Sequence, residues 1–260
     1  MREVLASGHL RAATCSRSCT ATGEKAQGER QQAAGPTTGT PTRTAGRERS
    51  LAARDDPLVT SEAEIDAVVF EARAALERSG PLAGAEARVP NRPGLYAIYG
   101  EAKTWTELDL GELPDRRPLY IGKAEENLAT RDLKTHFGDG GTGQSTVRRS
   151  FAALLHDTLG FRGIPRNPTK PAHFSNYGLS PGDDAALTAW MRERLHLAVW
   201  EKPLGCGHPL TNIEVALILE WLPPLNLDCV ITPWTRQVKA ARAVMAEEAR
   251  AWSSRRAAGP

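Results

Sequence analysis

Long apolar runs are missing from this chain. None approaches the ~20 residues that a membrane-spanning helix needs, which excludes a helical membrane span. Cysteine is scarce. Four residues in 260 (Cys15, Cys19, Cys206, Cys229) are too few for a disulfide scaffold. Cys206 and His208, in Gly-Cys-Gly-His, resemble half a zinc site, but no second half follows at ligand spacing, so an ordinary loop is the better reading. Aromatic residues are few overall, and Met1 to Pro57 has none. A segment so poor in large apolar groups cannot offset its ordering entropy and reads as a disordered tail. It also lacks the apolar stretch of a secretory signal, which points to a cytoplasmic protein. A strong excess of one charge is absent too, the net being +2. The first 57 residues hold nine basic and six acidic side chains, leaving 24 basic and 25 acidic in the remainder. Any binding to phosphate must therefore come from a local patch.

What is present begins at Ser61. Ser61-Glu62-Ala63-Glu64 reads as a capping box, followed by Ile65, Val68, Val69, Ala72 and Leu76 at helical spacing. Gly80-Pro81 stops that helix, which we assign to 58–88. Pro93 to Tyr99 and Pro118 to Gly122 read as strands. Alternation sets Leu95, Ala97 and Tyr99 on one side of the first and Tyr96 and Ile98 on the other. If the strands pair with their aliphatic sides together, Tyr96 and Tyr120 project from the same side. Helices are expected over Asn127–Phe137, Thr146–Leu159 with Ser145 as cap, from Ser180-Pro181, and over Asn212–Leu222 and Thr235–Trp252. Leu195 to Trp200 alternates like a strand. The expected architecture is one small α/β domain over 89–232, between the N-terminal helix and a C-terminal helix and tail at 233–260.

One helix carries an unusual residue. Thr211 to Leu222 is apolar nearly all round and is expected to be buried, yet it contains Glu214. A carboxylate on a packed face costs several kcal/mol, on the order of a whole domain's margin, unless it is paired or bound to a cation. The residues alone leave an Arg partner and a metal ion equally open.

Gly94-Leu95-Tyr96 and Tyr120-Ile121-Gly122-Lys123-Ala124 resemble the two name-giving motifs of the GIY-YIG nuclease superfamily. The pattern continues with an arginine on the next helix, here Arg131, with Glu214, and with Asn226 after Pro223-Pro224. The resemblance spans about Val89 to Asn226. It implies an α+β fold with a short central antiparallel sheet flanked by helices. It also implies a bacterial, metal-dependent endonuclease that hydrolyses phosphodiester bonds in DNA, with RNA left open as a substrate. Glu214 would hold Mg²⁺ or Mn²⁺, a cation that leaves most of its coordination to water and substrate. Tyr96 would be the base and Tyr120 would orient water or phosphate. Lys123 and Arg131 would lower the phenol pKa, and Arg131 would also stabilise the pentavalent charge. Asn226 would fix the site by hydrogen bonding. Lys134, Arg148 and Arg149 would contact nucleic acid. Lys123, Arg162, Arg166 and Lys170 extend the same basic stretch.

Three departures from the family pattern stand out. The 24-residue step from Tyr96 to Tyr120 suggests an inserted hairpin. Arg148 or Arg149 competes with Arg131 for the catalytic place. His136 follows Arg131 by five residues, where the family often has a Tyr or His after four. Two function classes therefore stand beside each other: an active endonuclease, or a GIY-YIG scaffold of weak or absent activity that binds nucleic acid or protein. In a third, the terminal helices are the working part of an interaction protein.

Overall fold

The alternation in Gly94 to Tyr99 passes directly into the strand on which the protein is built. The computed structural model describes residues 62–129, 136–138 and 140–257. The chain divides between Val59 and Thr60, and every described residue belongs to the second unit. The expected tail, the Ser61 cap and most of the Asn127–Phe137 helix, including Arg131 and Lys134, lie outside the described residues.

The described elements are α1 (Glu62–Leu76), β1 (Gly80–Pro81), β2 (Gly94–Gly100), α2 (Ala102–Glu107), β3 (Tyr120–Ala124), α3 (Thr146–Leu154), α4 (His156–Leu159), α5 (Pro181–Arg194), β4 (Leu195–Glu201), α6 (Leu210–Trp221) and α7 (Thr235–Ala257), with short 3₁₀ turns between them. The sheet is antiparallel throughout, in the order β1-β4-β2-β3. The fold is thus the mixed α/β arrangement that the resemblance implied. β2 is buried along its whole length because β3 and β4 flank it and helices cover both faces.

The two faces have separate cores. Leu95, Ala97, Tyr99 and Ile121 pack with Ala72 and Leu76 of α1 and with Leu210, Ile213, Leu217 and Ile218 of α6. Tyr96 and Ile98 pack on the opposite side with Leu128, Phe137, Val147, Phe151, Trp190 and Met191. Burying a side chain of this size contributes about 1.5–3 kcal/mol. Tyr99 is placed where its O–H donates to the Leu76 carbonyl at 2.8 Å, tying the end of α1 to the sheet.

Two caps form at the serines read from the sequence. Ser145 Oγ accepts from the Arg148 N–H at 3.1 Å, and Ser180 Oγ accepts from the Asp183 N–H at 3.2 Å. Four expectations change. The Tyr96–Tyr120 interval holds α2 rather than a hairpin, because Trp105 and Leu108 are spaced to bury from one helical turn. The helix expected over Thr146–Leu159 is interrupted at Leu155. Gly80-Pro81 does more than stop α1, since it pairs with β4 as β1. And α6 is buried on one side only: Thr211, Asn212, Leu219 and Glu220 are exposed.

Candidate functional site

The glycines of both motifs are needed for space. A Cβ on Gly94 would stand 2.1 Å from the Trp200 carbonyl oxygen of β4. One on Gly122 would stand 2.4 Å from the Tyr96 hydroxyl and 2.8 Å from the Tyr120 ring. The register explains this second contact, because Tyr96 lies directly across from Gly122. Both phenols therefore lie on one face of the β2–β3 pair over a bare backbone, their ring centroids 6.0 Å apart. Tyr96 is fully buried, whereas Tyr120 is only half-buried.

Behind Tyr96 runs a chain of hydrogen bonds whose polarity can be worked out. His136 Nε2 lies 2.8 Å from the Tyr96 oxygen, and His136 Nδ1 lies 2.6 Å from Ser145 Oγ. Ser145 is fully buried and already accepts from the Arg148 N–H. Its hydroxyl proton has one acceptor within reach, His136 Nδ1. A buried hydroxyl left without an acceptor would cost about 1–3 kcal/mol. Ser145 therefore donates to Nδ1, which sets the ring proton on Nε2, facing the Tyr96 oxygen. Ser145 thus caps α3 and selects the tautomer of His136.

Arg148 supports His136 a second time. Its guanidinium is fully buried and donates to the carbonyl of His136 at 3.1 Å, to Thr142 Oγ1 at 3.2 Å and to Thr188 Oγ1 at 3.0 Å. It is ion-paired with Asp184, which stands in the first turn of α5. The expectation that Arg148 meets phosphate is therefore corrected: its donors are spent inside the protein. Arg149 is also buried rather than on a solvated helix face, donating to the Gly143 carbonyl at 3.0 Å and to Thr146 Oγ1 at 3.1 Å.

β3 is an edge strand, and its outer edge is covered without another strand. The Asn226 side chain accepts from Ile121 N–H at 2.9 Å and donates to the Ile121 carbonyl at 2.7 Å. Leu225 N–H donates to the Leu119 carbonyl at 3.0 Å. One carboxamide thus does the work of a paired strand residue and fixes the segment that carries Tyr120.

Alternation directs Lys123 to the α6 side, away from the phenols. Its Nζ hydrogen-bonds Thr211 Oγ1 and pairs with Glu125 at 2.7 Å. Thr211 precedes Glu214 by three residues, so the two are neighbours on α6. Lys123 therefore belongs with Glu214 rather than with the tyrosines. Glu214 is half-buried on α6. α6 covers the face of the sheet opposite the phenols, packing with Ile121. Glu220, the other acid of this helix, pairs with Arg73 of α1 at 3.0 Å.

Arg131 and Lys134 lie outside the described residues. Ser145, Thr142, Asp184 and Thr211 did not enter the expected site. Ser145 was legible as a helix cap, but its second bond depends on a residue nine positions earlier and could not be read from spacing.

Among the described residues no three His, Cys, Asp or Glu side chains cluster closely enough to cage a metal ion. Glu214 is the carboxylate that the family pattern assigns to a cation. One hard oxygen ligand suits a cation that keeps water and takes phosphate oxygens, such as Mg²⁺ or Mn²⁺, and does not suit a closed zinc site.

Comparison with known proteins gives one result. A family model described as the GIY-YIG catalytic domain matches residues 94–242, from the first motif into α7. No curated protein and no solved structure matches the chain. The matched segment covers more than half of the chain and contains both motif glycines, both phenols, the His136–Ser145 pair, Glu214 and Asn226; the chain therefore belongs to the GIY-YIG family and carries its catalytic domain.

Proposed function

We propose that this protein is a metal-dependent endonuclease that hydrolyses phosphodiester bonds in DNA. Family membership supports nuclease chemistry. The observation that carries the reading further is the fixed polarity of the chain Ser145–His136–Tyr96 beside the more exposed Tyr120.

Hydrolysis needs a water molecule deprotonated in line with the departing oxygen, and charge neutralised at the phosphorus. A base must touch that water. Tyr120 is the phenol with solvent access, so Tyr120, ionised to its phenolate, takes the water proton on its oxygen, and the buried Tyr96 backs its ring. This reverses the roles expected from the sequence. His136 has both nitrogens engaged, which makes it a positioning residue rather than the base. Its Nε2 hydrogen-bonds the Tyr96 oxygen and so fixes the ring that backs Tyr120. Asn226 holds the β3 backbone at Ile121, and so the direction of the preceding Tyr120 side chain. Glu214 would hold the divalent cation, which when bound supplies a Lewis acid to the phosphate and the leaving oxygen. Lys123, next to Thr211, stands at the Glu214 end of the site and suits a phosphate oxygen. Arg131 keeps the charge-stabilising role that its place in the family pattern implies. The exposed Arg162, Arg166 and Lys170 add sequence-independent phosphate contacts.

The test is a cleavage panel of plasmid, branched and damaged DNA and of RNA, with Mg²⁺, Mn²⁺ or EDTA. Wild type is expected to nick or cut DNA with metal only. Tyr120→Phe is expected to lose at least about a hundredfold in rate, the scale of general-base catalysis, and more than Tyr96→Phe loses. Cleavage by Glu214→Gln equal to wild type would sink the reading. A larger loss in Tyr96→Phe would return the base to Tyr96.

A further inference from the structure

Arg149 presents a problem that Arg148 does not. It projects from α3 with 7% of its surface exposed, and its Nε has no hydrogen-bond partner. Its two bonded acceptors, the Gly143 carbonyl and the Thr146 hydroxyl, are both neutral. Its charged neighbours are Arg242 on α7 and Arg166 in the loop after α4, both cations. Among the described residues no carboxylate is ion-paired with Arg149, Arg166 or Arg242. A further neighbour, Tyr177, is fully buried and spends its proton on the Arg149 carbonyl at 2.6 Å. Burial drives the Tyr177 pKa upward, so this phenol stays neutral and offers no counter-charge. Burial first, and then the Arg242 charge, lower the Arg149 pKa to about 10, which leaves it a cation at neutral pH.

Three neighbouring like charges repel one another, and a buried cation without a counter-ion is destabilising. An unspent N–H on the innermost of them adds to that cost. We propose that Arg149, Arg166 and Arg242 form an anion site that takes a phosphate group of the nucleic-acid backbone, outside the tyrosine and glutamate site. The three arginines run from interior to solvent: Arg149 is buried, Arg242 is half-buried and Arg166 is exposed. Gly143 joins the inner and outer members, since its carbonyl receives Arg149 while a Cβ on it would lie 2.7 Å from the Arg166 side chain. The guanidinium fork matches phosphate oxygens, which suits arginine here better than lysine. The choice of a backbone phosphate over a free one rests on the nuclease reading; the anion site itself does not.

Two measurements on the full-length protein decide it. The first is the melting temperature in inorganic phosphate against sodium chloride at equal ionic strength. The second is the salt dependence of binding to a labelled DNA duplex in EDTA. Arg166→Gln and Arg242→Gln, at the more exposed positions, avoid emptying the core. Lys103→Gln, on α2 and paired with Glu107 at 3.8 Å, serves as control. Wild type and control are expected to gain melting temperature in phosphate, and the two variants to lose that gain. Each variant is expected to lower the slope of log affinity against log salt by about one. Loss of the phosphate response with an unchanged slope keeps the site but makes its ligand free phosphate. No phosphate response together with unchanged slopes overturns the site, while leaving the nuclease reading standing. If wild type binds no nucleic acid, the nuclease reading fails, and the phosphate measurement alone decides the site.

Discussion

The two sides of the sheet handle polar groups in opposite ways. On the tyrosine side, Tyr96, His136, Ser145, Arg148 and Asp184 are all buried, and their partners come from within the protein. On the α6 side, Glu214 and Lys123 are half-buried, and Thr211 and Glu220 are exposed. The first arrangement holds geometry. The second leaves charge in reach of a ligand. A buried, internally satisfied network can aim a reacting group, whereas half-buried charges can receive a ligand.

Substitutions can break that contrast, and their expected effects on stability fall in order. Arg148→Met should cost most, about 3–5 kcal/mol in urea unfolding, because it strands Asp184 as an unpaired buried carboxylate. Adding Asp184→Leu should recover much of the loss, and failure to recover any would mean that the pair is not what holds α3 to α5. Gly122→Ala forces a methyl group against Tyr96 and should cost about 1–3 kcal/mol as overpacking. The same change should reduce cleavage, since the displaced ring is bonded to His136.

Ser145→Ala should cost about 0.5–2 kcal/mol as the loss of a helix cap. Cleavage should drop by up to about a hundredfold in kcat with little change in KM, because His136 loses the bond that sets its tautomer. Ser145→Thr keeps the hydroxyl and should restore most of the rate; equal loss in both variants would make the residue merely structural. Glu214→Gln is the counterpart from the open side. It should change stability by no more than about 0.5 kcal/mol, as partly exposed positions do, yet abolish cleavage. A large fall in melting temperature there would mean that this carboxylate holds the fold instead.

The smallest effect concerns pH and lies away from the site. Burial by itself lowers the His156 pKa, but hydrogen bonds to Glu248 and Asp157 outweigh it, and the net shift is upward. Burial raises the Glu248 pKa, but the His156 bond and the Gly163 N–H outweigh it, and the net shift is downward. The histidine's contribution is complete below its ordinary pKa of about 6.5 and fades as pH rises through the raised value. The glutamate's is complete above its ordinary value of about 4.3 and fades as pH falls through the lowered one. The α4–α7 contact should therefore be firmest between these limits. In His156→Gln the decline in melting temperature on the alkaline side should be shallower than in wild type.

Much of this was legible before folding. The alternation of Leu95 to Tyr99 named the strand and its two faces. Ser145 and Ser180 marked helix starts, because a hydroxyl beside the first free N–H groups has a local reason to be there. The joint face of Tyr96 and Tyr120 followed from period two and an aliphatic partner. Residues whose partners are remote were misread. Arg148 looked like a solvent-facing base because nothing near it in sequence announces Asp184, 36 positions on. Lys123 was assigned to the phenols by proximity in the chain, although a strand sends successive side chains to opposite faces.

From the residue order alone came the element types, the motif set and the family, because periodicity, capping and spacing are local properties of a chain. Only the tertiary structure decided which charges are spent internally and which remain for a ligand. That depends on what a distant segment brings to each guanidinium or imidazole. Arg148 met a carboxylate and became part of the frame. Arg149, one residue later, met two more cations.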